Sequence, residues 1–419
     1  MPTIAEKILA EKSGNKRVEV GEIIEAEVDY VMVNDITGLP AFKVFDEFKT
    51  EPIRDKIVLI PDHYVPNKDI VSAEQAKAMR EFANRYKIEN YFEVGRGGVC
   101  HQLMIEEGFV APGKLIVGAD SHTCSYGALG AFATGIGSTE AAAVMATGKL
   151  WFKVPESQKF TVDGKLNKWV MGKDIILHII GDIGVDGSLY KSMEFYGSTI
   201  SKLSLSDRIT ISNMAIEAGA KTGIIPPDKK VFEYLRMRIR DSYKAVYADK
   251  DAEYSDKFQY DARDIVPTVA KPFLPSNIAP ASELSNIEIQ QAYLGSCTNG
   301  RIEDLRIAAR ILKGRKISKN VRMIVVPATK NVFEQAIKEG LIKIFLDANA
   351  YVSGPTCGAC LGGYMGVLAK GEICISSTNR NFIGRMGHKE SKIYLASPAV
   401  VAASAISGHI TDPNELNYN

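Results

Sequence analysis

Apolar residues along the chain follow two alternating periods. Near the N-terminus, Ile4, Ile8 and Leu9 fall on one face of a helix predicted over residues 1–12. A mostly polar run over 72–86 sets Ala76, Met79, Ala83 and Tyr86 at helical spacing. Short apolar runs at 56–60, 114–118, before Gly295 and at 372–376 read as strands, each leading into a polar or glycine-containing turn. Glycine and alanine crowd 127–148, which predicts a close-packed loop, then a short helix capped by Ser138 or Thr139 with Glu140 in its first turn. Residues 211–220 are helical, with Asn213 and Glu217 as i,i+4 neighbours. A buried helix is expected late in the chain, with Ser397 as N-cap, Pro398 at its first position and Gly408 past its end. Strands alternating with helices predict an α/β architecture of mostly parallel sheets.

With 419 residues the chain has room for two to four domains. Residues 244–264 are dense in charge and tyrosine, and Pro267, Pro272, Pro275 and Pro280 follow. That shift marks a linker. The expected division is an α/β domain over 1–130, a second over 131–265 interleaved with it, a proline-rich linker over 266–285 and an α/β domain over 286–419.

Charge removes two classes of function. Lys and Arg total 51 against 50 Asp and Glu, so no global field attracts nucleic acid or an anionic membrane. The basic run 233–240 is flanked by acids and spaced as a solvated helix face. No stretch is long and apolar enough to span a bilayer, and the first residues lack the apolar core of a signal peptide. Six cysteines are too sparse for a disulfide framework. A cytoplasmic protein is expected.

Candidate chemistry collects where predicted strands end, as ligand sites do in open α/β sheets. Asp62-His63 and Asp120-Ser121-His122 set an imidazole near a carboxylate, which fixes a tautomer and raises basicity, and His101 stands in Gly97-Gly-Val-Cys-His101-Gln102 after another predicted strand. His178 and His409 read as a core residue and a helix-end residue. Cys357 and Cys360 stand three apart in a glycine-rich loop, and Gly-Ser-Cys297-Thr-Asn offers a third thiol. Three thiolates suit an iron–sulfur cluster with one iron left unligated, whereas structural zinc wants a fourth ligand. In Asn379-Arg380-Asn-Phe-Ile-Gly-Arg385 two arginines flank a glycine turn, a pattern that clamps carboxylates.

With these motifs in this order, the chain resembles the aconitase superfamily over essentially its whole length, and most closely its isopropylmalate isomerase and homoaconitase branch. The resemblance implies three α/β/α domains around a cluster-binding cleft. It implies one [4Fe–4S] cluster held by Cys297, Cys357 and Cys360, whose open iron takes the substrate hydroxyl and a carboxylate. The acid–base pairs would be Asp62 with His63, Asp120 with His101, and Glu217 with His122. Asn34, Ser121, Asn213, Asn379, Arg380 and Arg385 would line the substrate pocket, Asn34 standing where aconitases carry Gln and related isomerases often His. Cys100, Cys124 and Cys374 match no ligand position and read as small buried residues.

The implied activity is that of the large subunit of a hydro-lyase. It interconverts 2- and 3-isopropylmalate through a dehydrated intermediate in leucine biosynthesis. Homocitrate and citramalate-type acids are the alternative substrates. The swivelling fourth domain of aconitases has no counterpart here, which implies a separate small subunit supplying the general-base Ser and another Arg. An iron-sensing RNA-binding protein fits poorly with a net charge of +1, and an electron-transfer protein fits poorly with three thiols.

Overall fold

Strands buried on both faces build the first sheet of the computed structural model, which describes residues 1–416. Its order is Ile57–Ile60, Tyr30–Asn34, Leu115–Gly118 and Phe132–Gly135, all parallel. Near-continuous apolar runs such as Ile-Val-Leu-Ile suit a parallel sheet covered on both sides. The helices Asp35–Glu47, Ile70–Tyr86 and Ser138–Thr147 supply Phe45, Phe82 and Met145 to one of its cores. Phe42 and Phe82 stack at 4.0 Å within it.

The sheet belongs to a unit formed by Met1–Asp163 and Ser188–Tyr260. A second four-stranded sheet in that unit runs Asp256–Asp261, Ser157–Asp163, Ser192–Tyr196, Thr222–Ile224, the last three mutually parallel. The turn Ser121–Leu129 is a 3-10 helix lying against the strand Thr222–Ile224. A Cβ at Gly127 would come 2.0 Å from the Gly223 carbonyl, so only glycine permits that approach.

The other unit comprises Gly164–Gly187 and Asp261–Asn419. Its seven-stranded sheet runs Ile278–Pro280, Thr268–Ala270, Lys392–Ala396, Ile373–Ser376, Gln291–Leu294, Arg322–Val325, Tyr351–Val352. The last five strands are mutually parallel, and the first two are antiparallel additions at one edge. The architecture is an α/β fold with mostly parallel sheets.

Several expectations hold in detail. The helix Ile4–Lys12 is capped by Thr3 with Glu6 reciprocating, and Pro398–Ser407 ends at Gly408 with φ +85 and has Ser397 at the N-cap position, where its hydroxyl makes no cap hydrogen bond. Other expectations are corrected. The 127–148 stretch holds a strand, Phe132–Gly135, where a loop was expected, and the next helix is capped by Gly137. Glu140 accepts a hydrogen bond from the Gly137 N–H at 2.9 Å, which sets the cap one residue before Ser138, where the helix begins. The helix expected over 211–220 is the α-helix Leu205–Asn213 continued by a 3-10 turn, Met214–Ala218. The proline-rich 266–285 is no linker. Thr268–Ala270 and Ile278–Pro280 join the sheet at its edge, where a proline costs little ladder bonding. The stretch 164–187, expected with residues 131–265, clusters with the second unit instead.

Candidate functional site

The first sheet ends its strands in polar residues, and their side chains converge. Asn34 closes one strand, Asp62-His63 follows the next and Asp120 the third. Asp120 stands at the middle. Its Oδ1 accepts from His101 Nε2 at 2.8 Å and from the His122 backbone N–H at 2.9 Å. Its Oδ2 lies 3.4 Å from Asn34 Nδ2 and 3.5 Å from His63 Nε2. Burial opposes the charge on Asp120. The charge and hydrogen bond of His101, with hydrogen bonds from His122 and His63, outweigh burial and hold the carboxyl well below its ordinary range.

His63 Nδ1 lies 2.6 Å from Asp62 Oδ1, and Asp62 Oδ2 accepts from the Cys100 N–H at 2.7 Å. Burial lowers the affinity of His63 for a proton, but Asp62, Asp120 and Asp35 raise it further, so the ring sits well above its usual value. Asp62 shows the complementary shift: burial pushes it up, and His63 with the Cys100 N–H brings it below the usual range. The surrounding carboxylates thus favour the protonated form of His63. His122 Nε2 bonds Glu217 Oε1 at 2.9 Å, and Ser121 Oγ lies 3.5 Å from His122 Nδ1. Asn213 donates to Ser125 Oγ at 2.8 Å. The structure therefore makes all three carboxylate–imidazole pairs.

Two residues that the sequence did not single out support this cluster. Asp35 is fully buried and accepts three backbone N–H groups, from Asp62 at 3.0 Å, His63 at 2.9 Å and Tyr64 at 2.8 Å. It fixes the turn that carries the Asp62–His63 pair. Tyr126 reaches His101 Nδ1 at 3.0 Å. An acid just past a strand end, as at Asp62 and Asp120, was the available signal for Asp35. Asn34 serves mainly as a helix cap, its Oδ1 accepting from the N–H groups of Ile36 and Thr37 at 3.1 Å.

In the second unit two of the three thiols meet one carboxamide. Cys297 follows the strand Gln291–Leu294, while Cys357 and Cys360 bracket a 3-10 turn in which the Cys360 N–H meets the Cys357 carbonyl at 3.3 Å. Asn379 Nδ2 lies 3.5 Å from Cys297 Sγ, and Cys360 Sγ lies 3.7 Å from Asn379 Oδ1. Tyr293 donates to the Cys357 carbonyl at 3.0 Å. Gly358 adopts φ +58, and a Cβ there would meet Tyr293 Oη at 2.3 Å. Gly358→Ala is expected to cost about 1–3 kcal/mol of stability, read as a lowered thermal midpoint.

Arg380 and Arg385 are both half-buried. Arg385 Nε is buried with no hydrogen-bond partner among the described residues, and its backbone carbonyl packs against Gly362 of the cysteine turn. Asn381 donates to the Lys271 carbonyl at 2.8 Å and so anchors the arginine loop. Cys100, Cys124 and Cys374 are buried as expected, and burial pushes the Cys374 thiol up to about 12.

The chain belongs to the aconitase family: residues 6–286 and 276–408 match the family model described as Aconitase family (aconitate hydratase). Its curated relatives are full-length. Over 416 residues it is 59% identical to the 3-isopropylmalate dehydratase large subunit of Thermodesulfovibrio yellowstonii, covering 99% of each. Over 417 residues it is 57% identical to the protein of the same name from Caldicellulosiruptor saccharolyticus, covering 99% of this chain and 97% of the relative. The crystal structure of holo aconitase X from Thermococcus kodakaraensis shares the fold, with a TM-score of 0.51, 11% identity and coverage of 85% and 84%. The aconitase family implies a [4Fe–4S] cluster. Three buried soft donors, two of them on one carboxamide, fit such a group. No helix among the described residues is long and apolar enough to cross a membrane.

Proposed function

We propose that the chain is the large subunit of a 3-isopropylmalate dehydratase, interconverting 2- and 3-isopropylmalate for leucine biosynthesis. The observation that carries this reading is identity above 55% along nearly the whole length to proteins of that name. The carboxylate–imidazole pairs and the buried thiols supply chemistry consistent with it.

Cys297, Cys357 and Cys360 would hold the cluster, with one iron left open. When bound, it supplies a Lewis acid for a hydroxyl leaving group and a carboxylate. The chain's own residues handle protons and orientation. His63, protonated between Asp62 and Asp120, suits the proton donor to the departing hydroxyl, so that the C–O bond breaks and water leaves. The carbon-bound proton is lost to a base, which we assign to a serine of the small subunit. Readdition of water to the alkene in the opposite sense moves the hydroxyl to the neighbouring carbon. His101 and His122, each locked to a carboxylate, suit proton transfer in that second half. Arg380 and Arg385, with Asn34, Ser121, Asn213 and Asn379, suit binding of a dicarboxylate. Arg385 Nε, buried without a partner among the described residues, is a donor that a substrate carboxylate could satisfy. Buried thiols suit a reducing compartment, and we place the enzyme in the cytoplasm.

The test is anaerobic co-expression with a small subunit, cluster reconstitution, and ultraviolet assay of alkene formation from 2-isopropylmalate, citramalate and homocitrate. Turnover of 2-isopropylmalate above the other two is expected. Preference for homocitrate would move the chain to the homoaconitase branch.

A further inference from the structure

One buried charge takes no part in the chemistry above. Lys173 is fully buried in the first turn of the helix Gly172–Ile183. A buried lysine is costly unless its ammonium is hydrogen-bonded. Lys173 Nζ donates to the Ser377 carbonyl at 3.1 Å and, in a shorter bond, to the Thr378 carbonyl. These carbonyls lie just past the end of the strand Ile373–Ser376 and just before Asn379 and Arg380. The helix itself is tied down from two sides. Asp174, the next residue, accepts from the Met171 N–H at 2.8 Å and from the Thr268 N–H at 2.8 Å. Ser377 is fixed in turn by its N–H to the Tyr293 carbonyl at 3.0 Å and by the Gly295 N–H on its Oγ at 3.0 Å.

We propose that Lys173 is a positioning residue that sets Asn379 and Arg380 for substrate carboxylate binding by clamping the carbonyls of Ser377 and Thr378. The inference rests on the reading of Arg380 as a substrate-binding residue. A cation with three donors is suited to the task, because a strand end presents carbonyls that no neighbouring strand takes up. Loss of the clamp lets the loop turn its carbonyls elsewhere and carries Asn379 and Arg380 with it. The segment 164–187 thus leaves its sequence neighbours and joins the second unit with a defined task there.

The test is Lys173→Met, nearly isosteric but without donors, in the full chain assembled with its small subunit and reconstituted cluster. Lys173→Gln, which keeps donor hydrogens, serves as the conservative variant and as the fallback if the Met protein does not fold. KM for 2-isopropylmalate is expected to rise fivefold or more, with kcat falling by a smaller factor, and Gln is expected to recover part of the loss. Hydrogen exchange, which needs no activity, is expected to speed up at the amides of 377–381 and not in the strand Gln291–Leu294. An unchanged KM, or protection lost evenly across the second unit, overturns the proposal. A wild-type complex inactive on 2-isopropylmalate, with exchange still localised in the variant, overturns the assigned function and leaves the clamp standing.

Discussion

A Cys357→Ala chain, reconstituted with iron, sulfide and the small subunit, is expected to lose turnover by at least ~10³-fold and to hold less iron. Lewis-acid help at a leaving hydroxyl is worth several kcal/mol, and each 1.36 kcal/mol is tenfold in rate. Cys360→Ala and Cys297→Ala should behave alike, since Asn379 contacts the sulfurs of both. Cys374 is the internal control. It is as deeply buried, but its thiol lies beside Gln291 Nε2 at 3.8 Å and is held neutral by burial. Cys374→Ala should leave a small cavity at a cost of about 1 kcal/mol, with iron content and activity intact. Iron and sulfide analysis, cluster absorbance and the alkene assay distinguish the two classes. Normal iron and normal turnover in Cys357→Ala would remove the cluster ligand assignment.

The positions of the reactive groups were legible in the sequence, but much of their support was not. Parallel strands announce themselves as apolar runs, and an acid or histidine directly after one lands at the carboxyl edge of the sheet. Asp62, His63 and Asp120 were visible for that reason. The pairing of His122 with Glu217 joins residues from distant elements and came only from family resemblance, since no local period encodes it. Asp35 carries the same strand-end signal, but the three backbone N–H groups it holds belong to a turn that only folding brings to it. Lys173 was hidden more deeply. Only the folded path shows that its helix joins the later unit. The errors at Gly137 and at 266–285 share a cause. Composition predicted caps and linkers, whereas a reciprocal Glu140 bond and an edge pairing decided the outcome.

Asp120→Asn is expected to reduce kcat by about 10²–10⁴-fold and to weaken the fold, although it changes a single atom. The reason lies in the donors around the carboxylate. Oδ1 takes two of them, His101 Nε2 and the His122 N–H, while Oδ2 faces Asn34 Nδ2 and the protonated Nε2 of His63. An amide has one oxygen. Placed toward His101, it turns its NH2 on Asn34 and His63, donor against donor, and placed the other way it repels His101. Breaking a buried charge set in this manner costs about 3–5 kcal/mol. The pH dependence has a definite sign. Asp120 is depressed well below 3.8, so its stabilisation is fully present above that value and fades as pH falls through the lower folded value. His63 is raised well above 6.5, so its share is complete below that value and is lost as pH rises through its folded value. Denaturation midpoints of wild type and variant should therefore lie furthest apart near pH 5–6 and converge in strong acid. Asn34→Asp added to Asp120→Asn keeps the helix cap and returns a carboxylate to the cluster, facing the new amide. The double variant should regain stability while turnover stays low, because His101 and His122 remain without their shared anion. Recovery of turnover in the double variant, or a single variant as stable and active as wild type, would show that Asp120 is not the centre on which these imidazoles are set.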